Sequence, residues 1–338
     1  MAGFKSFFIP KLSKVADLIP TPMLQKMIGQ KLIPPFYHAI SDDELPHISH
    51  LYNVKGTKAF EADLDFLLKY YSPIDYSEFR EVVLHKKKLK KPSFLLSFDD
   101  GLKEFHDVIA PILLRKGIPA ICFLNSGFVD NKDLFYRYKA SLIIDKLNRE
   151  PKSTHLIQKY LKDGQNFKEY LLSINYQNKD ILNNIGNLIG IDFSDFLNAQ
   201  KPYLTTQQIS TLINQGFYFG AHSIDHPLFE HISEAEQLRQ ITESTRFVLE
   251  KFGLPFSTFS FPFTDFKVRK SFFEEVKKHN IAELTFGCAG PKNDVIATNF
   301  QRIPFEVENK TAKQILNAEL YYYILKMPLG KNTLYRHD

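Results

Sequence analysis

The sequence predicts an α/β protein built on a parallel sheet, and it does so from two observations. Short β-prone runs alternate with helical stretches along much of the chain, the order that crossover connections between parallel strands impose. The carboxylates and imidazoles with the most chemical potential stand directly behind two of those runs, at the sheet edge where crossover loops gather and ligands bind. With 338 residues, 44% apolar and 14% aromatic, the chain can bury a large core. The pattern fits an open doubly wound sheet and a closed barrel equally.

The first strand is Phe94-Leu95-Leu96-Ser97-Phe98. Val108, Ile109, Ile112 and Leu113 then recur at helical spacing, Lys116-Gly117 ends the helix, and Pro119 to Leu124 forms the next strand. Residues 130–202 are rich in Asn, Lys, Leu and Ile with helical periodicity, which predicts a helical insertion that caps the cleft or mediates association. Phe217 to Gly220 reads as a strand, followed by a helix from Ser233 to Phe252 with Glu236 completing a capping box and Gly253 as the stop. A strand at Ser257 to Phe261, a helix at Arg269 to His279, a strand at Glu283 to Phe286 and a helix at Thr311 to Leu325 complete the series, with a loose tail expected beyond.

Charge and cysteine usage exclude several classes. Lys and Arg total 43 against 38 Asp and Glu, a formal charge of +5, much of it in His85-Lys86-Lys87-Lys88-Leu89-Lys90-Lys91. That run is expected to be a solvated surface segment, with nucleic acid or acidic lipid as the lesser reading. Cys122 and Cys288 form no C-x-x-C pair, so neither a disulfide framework nor a thiolate metal site is implied. Met1 to Pro20 scatters Lys5, Lys11 and Lys14 among apolar residues and is broken by Pro10, so no export signal is evident and a cytoplasmic location is expected. No stretch is apolar enough to span a bilayer, although residues 4–28 fit an amphipathic segment resting on the domain or, peripherally, on a membrane.

Asp99-Asp100-Gly101 follows the first strand, and the glycine lets the chain turn sharply there. Alone, this triplet equally fits a strand-ending turn or a helix cap. His222 and His226 also follow a strand, separated by Ser223-Ile224-Asp225, and two imidazoles so spaced can turn toward one cation. With a carboxylate from the same sheet edge they make a two-histidine, one-carboxylate site that leaves positions open for water and substrate. One aspartate can then ligate while its neighbour accepts a proton from water, equipment suited to acyl hydrolysis.

Ser97-Phe98-Asp99-Asp100-Gly101 and His222-Ser223-Ile224-Asp225-His226 resemble the first two motifs, T-F-D-D-G and H-[ST]-x-x-H, of the NodB-homology polysaccharide deacetylases, carbohydrate esterase family 4. Leu204-Thr205 through His222 is similar to the family's lead-in helix, and Phe259-Ser260-Phe261-Pro262-Phe263 to its third motif. The likeness covers roughly residues 34–130 and 200–307. It implies a distorted (β/α) barrel over about 31–310, an N-terminal segment 1–30 and a helical tail 311–338. It also implies Asp99 as general base and Asp100, His222 and His226 as ligands of a divalent metal, zinc first, with cobalt, nickel or iron as alternatives.

Many members carry a late general-acid histidine, and the only late candidate here is His337. In circularly permuted relatives acting on exopolysaccharides the equivalent strand is N-terminal and bears a Tyr-His pair. Pro35-Phe36-Tyr37-His38-Ala39-Ile40 resembles that strand, so His38 is the expected acid. The third motif lacks the arginine that often holds the catalytic aspartate, for which Arg302 is expected to substitute, and Thr264-Asp265 replaces its usual glycine. Phe36, Tyr37, Phe98, Phe261 and Phe263 are candidates for a sugar-stacking platform, although core packing explains most of them. The implied activity is removal of an acetyl group from an N-acetylated sugar of a polysaccharide or glycan precursor. An O-acetyl esterase and a catalytically silent carbohydrate-binding protein are the alternatives. The expected partner is a carbohydrate and not a nucleic acid.

Overall fold

The computed structural model describes residues 12, 13 and 15–338. At its centre lies an all-parallel sheet of eight strands: β1 (Pro35–Tyr37), β2 (Leu96–Phe98), β3 (Ala120–Leu124), β4 (Tyr218–Ala221), β5 (Thr258–Ser260), β6 (Leu284–Gly287), β7 (Asn299–Gln301) and β8 (Ile303–Pro304). Their spatial order is β7-β6-β5-β4-β3-β2-β1-β8. β7 and β8 are separated in sequence by Arg302 alone, yet β7 pairs with β6 and β8 with β1, at opposite edges. This single run of chain therefore closes the sheet into a barrel, with Arg302 at the seam. The Arg302 N–H donates to the Gly287 carbonyl and the Ile303 N–H to that of Pro34, each at 3.0 Å.

The strands β2 and β3 are buried on both faces, which is why they read as nearly continuous apolar runs. Along β3, Cys122 and Leu124 pack with the surrounding helices. Ile121 and Phe123 face inward with Leu95, Leu284 and Phe286, over Tyr76 and Phe79 of the helix Tyr76–Leu84. The predicted strand 94–98 is in fact split at Leu95. Ser93–Phe94 joins a small parallel sheet with Leu32–Ile33 and Ser72–Pro73, and only Leu96–Phe98 enters the barrel.

The insertion falls between β3 and β4 as four α-helices, Tyr136–Arg149, Phe167–Ser173, Ile181–Leu188 and Phe193–Gln200, with a 3-10 helix at Pro151–Tyr160, around a core that includes Ile143, Leu182 and Ile185. The helix Glu234–Phe252 begins at Ser233, whose hydroxyl accepts from the Glu236 N–H, and stops at left-handed Gly253. The return half of that capping box is absent because the Glu236 carboxylate is taken by Arg239 at 2.7 and 2.8 Å. Complete boxes stand instead at Thr205 with Gln208 and Thr311 with Gln314.

Helix Thr21–Ile28 packs on helix Ala312–Lys326. The Thr21 hydroxyl donates to Asn317 Oδ1 at 2.8 Å, and Asn317 Nδ2 donates to the carbonyls of Ala16 and Ile19. The amphipathic segment thus rests on the domain from residue 15 onward; its earlier part lies mostly outside the described residues. Among the described residues no helix is long and apolar enough to cross a membrane.

The tail is not loose. Thr333–Leu334 pairs in parallel with Asn293–Asp294. Arg336, its side chain fully buried, then lies between the carboxylates of Asp265 and Asp294, themselves fully buried. Two carboxylates in that setting need a cation, so the chain end is held by charge that hydrophobic periodicity could not reveal. Replacing Arg336 with Met leaves both carboxylates without their counter-ion and should destabilise the fold by about 3–5 kcal/mol in a denaturant titration. A loss within measurement error would show that the clasp carries no net stabilisation.

Candidate active site

The two sequence motifs are placed by backbone that most residues avoid. Asp100 and Gly101 follow β2 with φ of 71° and 62°, turning the strand so that successive carboxylates aim at one space. A Cβ at Gly101 would sit 2.7 Å from Leu124 Cδ2, so a larger residue would also have to displace the end of that side chain. Behind β4, Ser223 and His226 adopt φ of 69° and 62°. That loop is fixed by the His226 N–H on Ser223 Oγ (2.9 Å) and by the Gly127 N–H on the Ile224 carbonyl (2.9 Å). Non-glycine residues held in such conformations store about 1–3 kcal/mol each, which the surrounding contacts must offset.

The structure brings Asp100, His222 and His226 together, with one potential ligand atom of each lying within 4.8 Å of the others. His222 Nε2 is 3.6 Å and His226 Nε2 3.2 Å from Asp100 Oδ1. All three residues are buried, and Asp100 Oδ1 has no hydrogen-bond partner. An unpartnered buried carboxylate oxygen is costly unless a cation meets it. His222 Nδ1 lies 2.8 Å from the Ser260 carbonyl, so Nδ1 carries the proton and the Nε2 lone pair faces the cluster. Burial pulls His222 down to about 4, against the pull of Asp99, so the ring is neutral at ordinary pH. Burial would raise the Asp100 carboxyl, but His226 and His38 outweigh it and keep the group ionised. Two ring nitrogens and a carboxylate oxygen are a donor set that suits a divalent transition metal.

Asp99 takes no part in that cluster. Its two oxygens receive a bidentate pair from Arg302, Nη1 to Oδ1 at 2.8 Å and Nη2 to Oδ2 at 2.6 Å. Arg302 also donates to Ser97 Oγ (3.1 Å) and Ser260 Oγ (2.6 Å), and its guanidinium lies 4.3 Å from the Phe36 ring centroid. Burial would raise the Asp99 carboxyl, but Arg302 and His222 more than compensate and hold it below the ordinary carboxylate range. Asp99 Oδ2 stands 4.0 Å from His222 Nε2, at the margin of the ligand cluster.

His38 follows β1 and is partly open, its side chain 25% exposed. Its Nδ1 is 2.5 Å from Glu306 Oε2, while Glu306 Oε1 accepts from the His38 and Ala39 N–H groups at 2.9 and 3.1 Å. Glu306 is a residue that sequence reasoning missed; the signal was its position four residues after Arg302 on the closing run. Burial alone would push the His38 imidazole down, but Glu306, Asp100 and Asp99 lift it from 6.5 to about 9. His337, the other histidine considered, is exposed, and its carbonyl accepts from the Lys270 N–H at the start of an outer helix.

The insertion reaches the site, which the sequence left undecided between capping and association. Tyr138 donates its hydroxyl to Asp100 Oδ2 at 3.0 Å. Asp225, between the two motif histidines, accepts from Tyr176 (2.7 and 2.9 Å), Lys179 (2.7 Å) and Gln240 (2.7 Å). Four of the five aromatics considered for sugar stacking are not available for it. Phe36 lies against Arg302, Tyr37 donates to Asp63, and Phe98 and Phe261 are core. Phe263 alone is open, 38% exposed, with its ring edge-on to His226 at 4.6 Å.

The family model for polysaccharide deacetylase matches residues 86–283. No curated protein matches the sequence. The fold is similar to that of the Streptococcus pyogenes deacetylase PplD in complex with acetate, at 14% identity and a TM-score of 0.56, over 85% of this chain and 97% of that one. It is similar to IcaB from Ammonifex degensii, at 14% identity and a TM-score of 0.54, over 86% and 97%. A de-N-acetylase from Aggregatibacter actinomycetemcomitans matches at 12% identity and a TM-score of 0.53, over 83% and 97%. At such identities the likeness is one of fold.

Arg302→Met leaves Asp99 buried without its counter-charge and should cost about 3–5 kcal/mol by denaturant titration. Because the Asp99 value is depressed in the folded state, that cost is full above roughly pH 4 and shrinks on acidification. A cost independent of pH would separate the effect from the Asp99 charge. For His38 the sign is opposite: stabilisation by Glu306 is complete below about 6.5 and lost as pH rises through about 9. In an NMR titration Glu306→Gln should move the His38 midpoint down toward 6.5 or lower; an unmoved midpoint would exclude Glu306 as the cause.

Proposed function

Because this chain belongs to the polysaccharide deacetylase family, we propose that it is a metal-dependent hydrolase that removes the acetyl group from an N-acetylated sugar of a polysaccharide or glycan precursor. The observation that supports this most is the convergence, at one end of one barrel, of a ligand cluster, a fixed second carboxylate and a protonated histidine. In this reading the deacetylase barrel runs over about 31–310, between an N-terminal segment 1–30 and a tail 311–338.

Asp100, His222 and His226 would hold a divalent cation, zinc first with cobalt, nickel or iron as alternatives; bound there it supplies Lewis acidity, polarising an acetyl carbonyl and bringing the pKa of water to about 7. Asp99 is the base. Arg302 keeps it ionised and immobile, and its Oδ2 edge borders the cluster, so it accepts the proton as a water oxygen adds to the acetyl carbon. His38 is the acid. With Nδ1 turned to Glu306, its Nε2 proton is the one available to the leaving nitrogen as the carbon–nitrogen bond breaks, giving acetate and a free amine. A group lifted to about 9 holds that proton through neutral pH and suits the protonation of an amine, a poorer leaving group than an alcohol. That requirement favours N-deacetylation over O-deacetylation.

The test is acetate release from matched N-acetylated and O-acetylated saccharides by zinc-loaded protein. N-linked acetate should be released, with Asp99→Asn and His38→Ala each reducing turnover by about 100-fold or more while retaining bound metal. Release confined to O-linked acetate would select the esterase, and no release at full metal occupancy would select the binding protein.

A further inference from the structure

The end of the barrel opposite the site has a surface character of its own. Helix Thr21–Ile28 leads into the N-terminal end of β1, and the lysine run at 86–91 leads into that of β2. Helix Ala312–Lys326 starts beyond β8 and descends to the same end, where Tyr323 meets Asn293 ahead of β7. Lys31 Nζ donates to the Leu89 carbonyl at 3.4 Å, and Gln30 Nε2 donates to Asn293 Oδ1 at 3.3 Å. Asn293 Nδ2 in turn donates to the Tyr323 hydroxyl of helix Ala312–Lys326 at 3.3 Å, so the three segments are linked. They form one continuous face.

That face is apolar and basic together. Met23 and Met27, one turn apart, are 57% and 52% exposed, and Leu325 and Leu329 are 49% and 67% exposed. Residues 18–40, 86–98 and 320–337 contain nine lysines and no Asp or Glu. Large exposed apolar side chains beside unopposed lysines are unfavourable for a surface meant only for water. Nucleic acid would use the lysines but leave the leucines and methionines without an acceptor. An anionic bilayer interface takes both, the lysines at the headgroups and the apolar side chains just below them.

We propose that this face, at the N-terminal end of the barrel, docks on anionic lipid. The site then opens away from the bilayer, so the enzyme meets its substrate from the aqueous side while held at the surface. Neither the strength nor the direction of docking depends on the chemistry at the site.

The 338-residue chain is to be floated with vesicles of phosphatidylglycerol and phosphatidylcholine, and with phosphatidylcholine alone. Binding should require the anionic lipid and should fall steeply at roughly 1 M salt, where the Debye length is about 3 Å. Lys87→Gln with Lys88→Gln should weaken partitioning by roughly five-fold per lysine, and Met27→Ser with Leu329→Ser by a comparable factor. All four positions are exposed, so the melting temperature and metal content should not change, which separates lost docking from lost folding. No anionic-lipid binding, or binding unaltered in either pair, overturns the proposal. So does a dimer in sedimentation that the serine pair dissolves, or binding to RNA that competes with vesicles and survives the serine pair.

Discussion

The bidentate pair of Arg302 and Asp99 joins the closure of the barrel to the chemistry at its end. Arg302 is the residue at which one run of chain leaves the β6 edge and reaches the β1 edge. Its backbone N–H completes the β6 side, and its guanidinium fills the barrel interior with Phe36 on its face. Only in a closed barrel can the guanidinium span Ser97, Asp99 and Ser260, which belong to β2, its C-terminal end and β5. A buried guanidinium of this kind is tolerated because its donors are matched by carboxylate and hydroxyl oxygens. The fold and the proposed base therefore depend on each other.

Ser260 links that pair to the candidate ligand cluster. Its hydroxyl accepts from Arg302 while its carbonyl accepts from His222 Nδ1, so one residue of β5 helps to orient both the carboxylate and the imidazole. Orientation through a second layer of hydrogen bonds is what keeps a ligand nitrogen pointed at a cation and fixes its tautomer. Glu306 does the same for His38, and Tyr138 and Asp225 extend the network into the insertion. The insertion is thus part of the site wall, because removing it would take away a hydrogen bond to Asp100 and two of the partners of Asp225.

The two ends of the barrel differ in character. At the C-terminal ends of the strands, backbone in left-handed conformations and buried charge are concentrated at Asp99, Asp100 and the His222 to His226 loop. At the N-terminal ends lie Tyr76 and Phe79 under the core, and outside them the lysine run and the exposed faces of the terminal helices. Parallel strands impose this polarity, since every crossover loop that follows a strand emerges at one end and every loop that precedes one emerges at the other.

Residue identity and order by themselves pointed to the parallel α/β class, the position of the helical insertion and the candidates Asp99, Asp100, His222 and His226, because local turns, strand runs and short motifs are encoded by neighbours in sequence, whereas His38 became a candidate only through the family resemblance. Arg302 was matched to the catalytic aspartate only through the family resemblance, since no local pattern links two residues 203 positions apart. Glu306, Tyr138 and Ser260 gave no local signal, because what defines each is a contact across the fold. The same holds for the tail, where Arg336 meets Asp265 and Asp294 from 71 and 42 positions away. Closure of the barrel was likewise decided only in three dimensions. Two strand pieces of three and two residues carry no periodicity, and hydrogen bonding to edges that meet only after folding assigned them to opposite sides.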